Sequence, residues 1–569
     1  TIDQSLRFNN DDTAYLEFTP SSGGNRDTWT ISMWVKRSGL GLAQSKLFAA
    51  GSSLGSNHNN SFYMWFQSDD TLRIQNESGG AAYTRMDTTR VFRDVSYFYH
   101  IVYVYDSSQS TSSDRQQLYI NGVRETVFDD TLYPSLNQDS QVNATHVHRI
   151  GASTIGNTFD GYMAEVNFID GTALDATSFG ETSNGVWVPK AYSGSYGTNG
   201  FYLSFADSAA IGDDLSGNTN DWTANNLAAS DVVSDTPTNN HCVLNPLDAY
   251  NSGSQLSDGG LKYTGDSQNG AHCGTHSFDI ANEKFYWEVT VVGTNHWVGI
   301  VSEDFSGAQK AGNVYASAGL HVVNPANGYK SQNPYASSTA FMSTMSANDI
   351  LGIACGEGNI EFFINGVSQG DAYTGLTGRY KPFVMSATSS VAVFNFGQTS
   401  FSYTAPTDYL SLNSENMPEP AIGPNSATTS DQYFNTVLYT GTGAAQSITG
   451  ANHAPDLLWI KRRDAVNSHI LYDSVRGDWE LSSNSTGADI SSAGRIGSLD
   501  ADGFTFENTS ASALNASGGS YTSWLWKAGG TAVSNTDGSI TSQVSANTDA
   551  GFSIVGFTST GNTETVGHG

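Results

Sequence analysis

The phrase Leu118-Tyr119-Ile120-Asn121-Gly122-Val123 returns as Phe362-Phe363-Ile364-Asn365-Gly366-Val367. In each copy an alternating apolar run ends in Asn-Gly. That pair best tolerates the two positive φ angles of a type I′ hairpin, the turn whose twist matches that of its strands. The copies lie too far apart for one domain of ordinary size, so the chain is expected to hold separate all-β modules. Composition agrees: 59 Gly, 12% aromatic and only 14% charged residues leave few good helix formers. At 569 residues, three or four domains are expected.

The first module is expected over residues 1–206. Its short strands include Trp29-Thr30-Ile31-Ser32-Met33-Trp34-Val35, Phe62-Tyr63-Met64-Trp65-Phe66 and Tyr99-His100-Ile101-Val102-Tyr103, spaced as in a sandwich or jelly roll. Four of its phrases occur in a telling order. They are Ser32-Met33-Trp34-Val35, Tyr99-His100-Ile101-Val102, Leu118-Tyr119-Ile120-Asn121-Gly122 and Phe159-Asp160-Gly161-Tyr162-Met163-Ala164-Glu165-Val166. Together they resemble the laminin-G-like, concanavalin-type jelly rolls. That resemblance implies the fold but no ligand, since members bind glycans, proteins, calcium or nothing detectable.

Residues 207–240 read as a polar connector, and 241–405 as a second module. Its markers are Tyr286-Trp287-Glu288-Val289, Val298-Gly299-Ile300, Asp349-Ile350-Leu351-Gly352, Phe363-Ile364-Asn365-Gly366 and Lys381-Pro382-Phe383-Val384. This succession resembles the SPRY domain, a bent β-sandwich used for recognition, and implies no catalytic machinery. Residues 406–430 carry Pro406, Pro418, Pro420 and Pro424 and read as a linker.

A third β-rich module is expected over 431–550, marked by Leu457-Leu458-Trp459-Ile460 and Trp524-Leu525-Trp526. Its opening phrase, Phe434–Gly443, is echoed by Phe552–Gly561, so 551–569 read as the start of a second repeat. A repeat stopped before its main apolar strand leads to the expectation that the polypeptide continues beyond Gly569. Thr1 in place of Met reads as a lost initiator or a fragment. A laminin-G-like module, a SPRY module and Gly/Ser-rich aromatic repeats, in that order, resemble large virion proteins of tailed bacteriophages, marine ones in particular. The likeness is strongest at Tyr162–Gly171, Ser195–Leu203 and Trp524–Gly530.

A net charge of −30 argues against nucleic-acid binding, which needs clustered Lys and Arg. Cys242, Cys273 and Cys355 are too few, and odd in number, for a disulfide framework. The sequence has no apolar run of roughly 18 residues, so no membrane insertion is expected.

One stretch suggests an ion. Asp213–Trp222 sets oxygen-bearing side chains at alternating positions around Gly217, and Asp214, Asn218, Asn220 and Asp221 are its candidate calcium ligands. The competing reading is a connector rich in Asx-turns and anchored by a buried Trp222. Asp160-Gly161 and Asn121-Gly122 lie near positions that sometimes contribute metal or sugar contacts in the resembled family, though turn chemistry explains them. Cys273 and His276 form a C-x-x-H pair with no second half. No motif for a nucleophilic serine, a phosphate loop or a zinc protease occurs.

The resulting expectation is an all-β chain of tandem β-sandwiches with no catalytic residues and calcium as its sole candidate cofactor. The resemblance implies a tail fibre, appendage or surface fibre on the virion, made in the host cytoplasm, with other virion proteins, copies of itself and host glycan as partners. A cement protein, a polysaccharide depolymerase and a secreted cellular adhesin are the alternatives.

Overall fold

The computed structural model describes residues 2–52, 54, 60–153, 158–183, 185–250, 255–266, 270–305, 319–333, 337–419, 422–423, 428–507 and 509–569. Its regular structure is strand almost throughout, with only three-residue 3₁₀ turns for helix among the described residues. The chain forms two compact units, Thr1–Glu181 with Trp187–Met417, and Thr182–Val186 with Pro418–Gly569.

The first unit opens with a jelly roll of two antiparallel sheets. One runs Val123–Arg124, Gln116–Ile120, Tyr99–Asp106, Thr28–Arg37, Gly161–Asp170, Ser5–Phe8, Val232–Val233. The other runs Phe128–Leu132, Ala81–Val91, Thr71–Ser78, Ser61–Phe66, Ser45–Gly51, Val147–Ile150, Tyr15–Phe18, Thr223–Asn225. The Thr28–Arg37 strand shows how alternation builds both faces. Trp29, Ile31, Met33 and Val35 enter the core between the sheets. Trp34, on the opposite face, joins Tyr162 and Phe98 in a second core, which also holds Leu244, Leu261 and Trp287. Both strand faces are therefore buried.

That second core belongs to the second sandwich. Its inner sheet contains Phe285–Val291, flanked by Asp349–Gly356 and Val391–Asn395. The opposing sheet centres on Arg379–Ser386, between Gly270–Gly274 and Trp297–Ser302. The two sandwiches share apolar packing and are one body.

Two stretches expected to be loose are structured. Within the 207–240 connector, Thr223–Asn225 pairs with Tyr15–Phe18, and Val232–Val233 pairs with Ser5–Phe8, so it supplies an edge strand to each jelly-roll sheet. Within 406–430, Leu410–Ser411 pairs in parallel with Phe285–Val291, and Leu412 is fully buried. Polar composition concealed both, because edge strands this short need only one or two inward apolar residues.

In the second unit, Phe434–Thr440, Ser520–Trp526, Leu457–Arg462, Ile470–Asp473, Trp479–Ser482 and Ile490–Ser491 form one sheet in that order. It packs on the sheet of Gln446–Thr449, Gly503–Phe506 and Ile496–Asp500 through Leu458, Ile460, Leu525, Phe504 and Phe506. A third sheet joins Val533–Asn535, Ser542–Asn547 and Phe552–Phe557. The similar phrases at Phe434 and Phe552 are thus both strands, paired in different sheets.

Candidate functional site

The Asp213–Asp221 loop holds all four calcium candidates and ties them by hydrogen bonds within the loop and to the 197–202 segment. Asp214 Oδ1 accepts from the Tyr202 and Ser216 N–H groups at 2.8 and 2.9 Å. Its Oδ2 accepts from Asn220 N–H and the Ser216 hydroxyl at 2.9 and 2.8 Å. Asp221 Oδ1 accepts from Asp214 N–H. Asn218 and Asn220 turn their amide donors, not their oxygens, toward the Gly200 carbonyl. Trp222 is buried and packs on Phe18 and Phe201, with ring centroids 5.5 and 4.9 Å away. Asx-turns run through this connector, and N–H and hydroxyl donors occupy both Asp214 oxygens and Asp221 Oδ1. Among the described residues no cluster of three His, Cys, Asp or Glu could hold a metal. Cys273 is buried, and the His276 ring nitrogen Nδ1 is engaged by the Thr275 hydroxyl.

The Asn-Gly pairs are hairpin turns, with φ of 48° and 81° at Asn121 and Gly122 and 48° and 77° at Asn365 and Gly366. Each Asn also caps a neighbouring strand: Asn121 Oδ1 accepts from His100 N–H and Asn365 Oδ1 from Ile350 N–H.

Asp160, read from the sequence as a turn residue, sits at the junction of the sandwiches. It is 2% exposed, and its Oδ1 accepts from the Ser38 hydroxyl and, across the junction, from Gly259 N–H at 3.0 Å. Burial pushes its carboxyl up to about 6. Close by, Lys36 is wholly buried. Its ammonium donates to both Asp235 oxygens (2.9 and 3.2 Å), to Asn240 Oδ1 (2.7 Å) and to the His241 carbonyl (2.8 Å). No local motif marks Lys36 or the junction role of Asp160, because those roles arise only when distant segments meet.

On the outer face of the other jelly-roll sheet, Lys46 is buried with no hydrogen-bond partner among the described residues. Its ammonium lies 3.7 Å from the centroid of the Trp65 ring and 4.5 Å from that of Tyr63. Desolvation lowers its pKa to about 7, against a smaller opposing pull from Glu77.

Three clefts follow the junction. One of about 470 Å³ includes Asp160, Leu42, Leu256 and His272. Another, of about 660 Å³, lies between Gln4 and Ser230 on one side and Thr399, Ser400 and Phe401 on the other. A third, of about 260 Å³, shares Ser230, Gln398, Thr399 and Ser400 with the second and adds Arg7, Asp258 and Glu288. Glu288 is already satisfied by the N–H groups of Ser402 and Tyr403.

Residues 10–178 match the concanavalin A-like lectin/glucanases superfamily. The match covers the two-sheet body of the jelly roll. Residues 429–569 match a domain of unknown function, DUF7483, which spans the sheets of the second unit. No curated protein matches the chain. Similar solved structures include the SPRY domain of human HERC1, at 16% identity over 28% of this chain and 99% of that one, with a TM-score of 0.24. They also include a native heptameric SAP-like pentraxin from Limulus polyphemus, at 16% identity over 30% of this chain and 78% of that one, with a TM-score of 0.22. The concanavalin-type jelly roll and the all-β tandem arrangement are as the sequence motifs implied.

Proposed function

We propose that this chain is a non-enzymatic recognition protein of a tailed-bacteriophage particle, a tail fibre or surface appendage that presents its sandwiches to host glycan or to neighbouring virion proteins. The observation that carries the recognition reading is the joined pair of sandwiches. A concanavalin-type jelly roll is fused through a shared core to a second sandwich, and polar clefts lie along their junction. Such a body holds a binding surface in fixed geometry without spending ordering entropy on each encounter. The non-enzymatic reading is supported by the buried acid Glu288, both of whose carboxyl oxygens accept from backbone N–H groups.

The virion reading is supported by the order of sequence motifs. Repeated copies on a particle would convert weak single-site contacts into avidity without any new contact. Calcium has no part in the proposal, and an acidic chain fits neither nucleic acid nor an anionic membrane surface.

Gold-labelled antibody against the chain, imaged on purified particles, tests the location. Label on projecting appendages is expected. Label confined to the capsid lattice would replace recognition with a cementing role, and unlabelled particles would remove the virion reading. Binding of the purified chain to host cells tests recognition itself, and shortening of surface polysaccharide on incubation would overturn the non-enzymatic reading.

A further inference from the structure

We propose that the groove between Gln4 and Ser230 of the first sandwich and Thr399, Ser400 and Phe401 of the second is a binding site for a neutral saccharide. The inference rests on the recognition reading above and gives it a place. At about 660 Å³, the groove has the size of ordinary small-molecule sites.

Its chemistry is selective by what lines it. The chain carries a net charge of −30, yet no ionisable side chain lines this groove. A charged ligand entering it would lose hydration and meet no counter-charge, a penalty that an uncharged ligand escapes. The lining groups are hydroxyls and amides, which both donate and accept, as sugar hydroxyls do.

Those groups divide into two sets. One set is committed to the walls. The Ser234 hydroxyl lies within reach of the Gly397 and Gln398 carbonyls, and Gln398 links Phe396 N–H to the Cys242 carbonyl. Ser411 Oγ accepts from the Asn413 and Asn416 amides and keeps its own proton to give. The other set is idle: the side chains of Gln4, Ser230, Thr399 and Ser400 make no hydrogen bond to the described residues. Phe401, set edge-on against Tyr286 with centroids 5.0 Å apart, adds a half-buried apolar wall suited to the C–H face of a sugar ring. The adjoining cleft extends the groove; there Arg7 pairs with Asp231 and Asp258, and Glu288 is held by the N–H groups of Ser402 and Tyr403.

Saturation-transfer NMR and calorimetry on the full chain test the site. The probes are malto-, cello- and galacto-oligosaccharides, with sialylated and sulfated oligosaccharides as charged counterparts. The expected result is binding of at least one neutral series. Ser400→Trp, which fills the groove, and Gln4→Ala, which removes an idle amide, should each weaken it by about tenfold or more with Tm unmoved. If Ser400→Trp fails to fold, Ser400→Ala with Gln4→Ala gives the same readout. Equal binding by wild type and variants would overturn the groove while recognition stood at another surface. A preference for the charged probes would overturn it too. So would binding of host cells by a chain that takes up no neutral oligosaccharide at millimolar concentration, a result that leaves recognition intact. Failure to bind either cells or oligosaccharide would remove both.

Discussion

Each hairpin glycine carries an aromatic ring on the face where a side chain would otherwise be. A Cβ on Gly122 would come within 2.5 Å of Trp187, and one on Gly366 within 2.5 Å of Tyr403. Both residues also need positive φ, so the hairpin selects Gly twice over. Trp187 in turn donates to His100 Nδ1, and Asn121 caps His100 N–H, which closes a local circuit around the turn. Gly122→Ala and Gly366→Ala are each expected to cost about 1–3 kcal/mol from overpacking, before backbone strain is added, measurable by chemical denaturation. Lys46 gives the opposite kind of prediction. Its pKa is about 7 in the folded chain against the ordinary 10.5, so the folded state binds fewer protons and its stability climbs as pH rises from 7 toward 10.5. Lys46→Met should therefore raise Tm at pH 7, by an amount that shrinks as pH approaches 10.5. An equal gain at both pH values would argue against the unpaired ammonium as its source.

Among the elements, the connector is the one whose polar sequence conceals most of its role. Asp235 joins Lys36 in a fully buried pair, and breaking such a pair typically costs about 3–5 kcal/mol because one charge is left stranded. Lys36→Ala is expected to lose about that much in urea unfolding, whereas Lys36→Met with Asp235→Leu should recover most of it. Asp214→Ala, which strands four donors, should lower Tm, while added calcium or chelator should leave the wild-type Tm unchanged. A calcium-dependent rise would establish the ion-site reading. The hairpins, the strands of both sandwiches and the jelly-roll core were legible because alternation and Asn-Gly are local signals. Asp160, Lys36 and the groove side chains were not. Their partners lie across 99 residues at Gly259 and 199 residues at Asp235, and an idle serine looks like any other until two walls face each other.

For the whole molecule, buried histidines set the response to acid. Burial holds His100 and His276 down to about 3 and His148 and His296 to about 4. A histidine depressed in the folded state contributes stability that is present above its ordinary value near 6.5 and lost as pH falls below it. Asp160 works in the other direction: its raised carboxyl makes stability fall as pH rises from about 4 to about 6. Glu165, Asp258 and Glu283 are raised by burial as well, but six histidines, His241 and His321 included, are held down against these four carboxyls, so Tm should drop below pH 6.5, with net proton uptake on unfolding. Calorimetry in buffers of different ionisation enthalpy would read that uptake, and a flat profile between pH 4 and 6.5 would contradict it.

The connector has a mechanical consequence as well. Ile2 is tied to Thr238 by hydrogen bonds through its N–H and its carbonyl, and Ser414 is tied to Asn240 by one through its N–H and one through its hydroxyl. The first and last strand-bearing stretches of the two-sandwich body are thus pinned to the same few residues. While this clasp holds, tension between them runs through residues 238–240 rather than across the sheets of either sandwich.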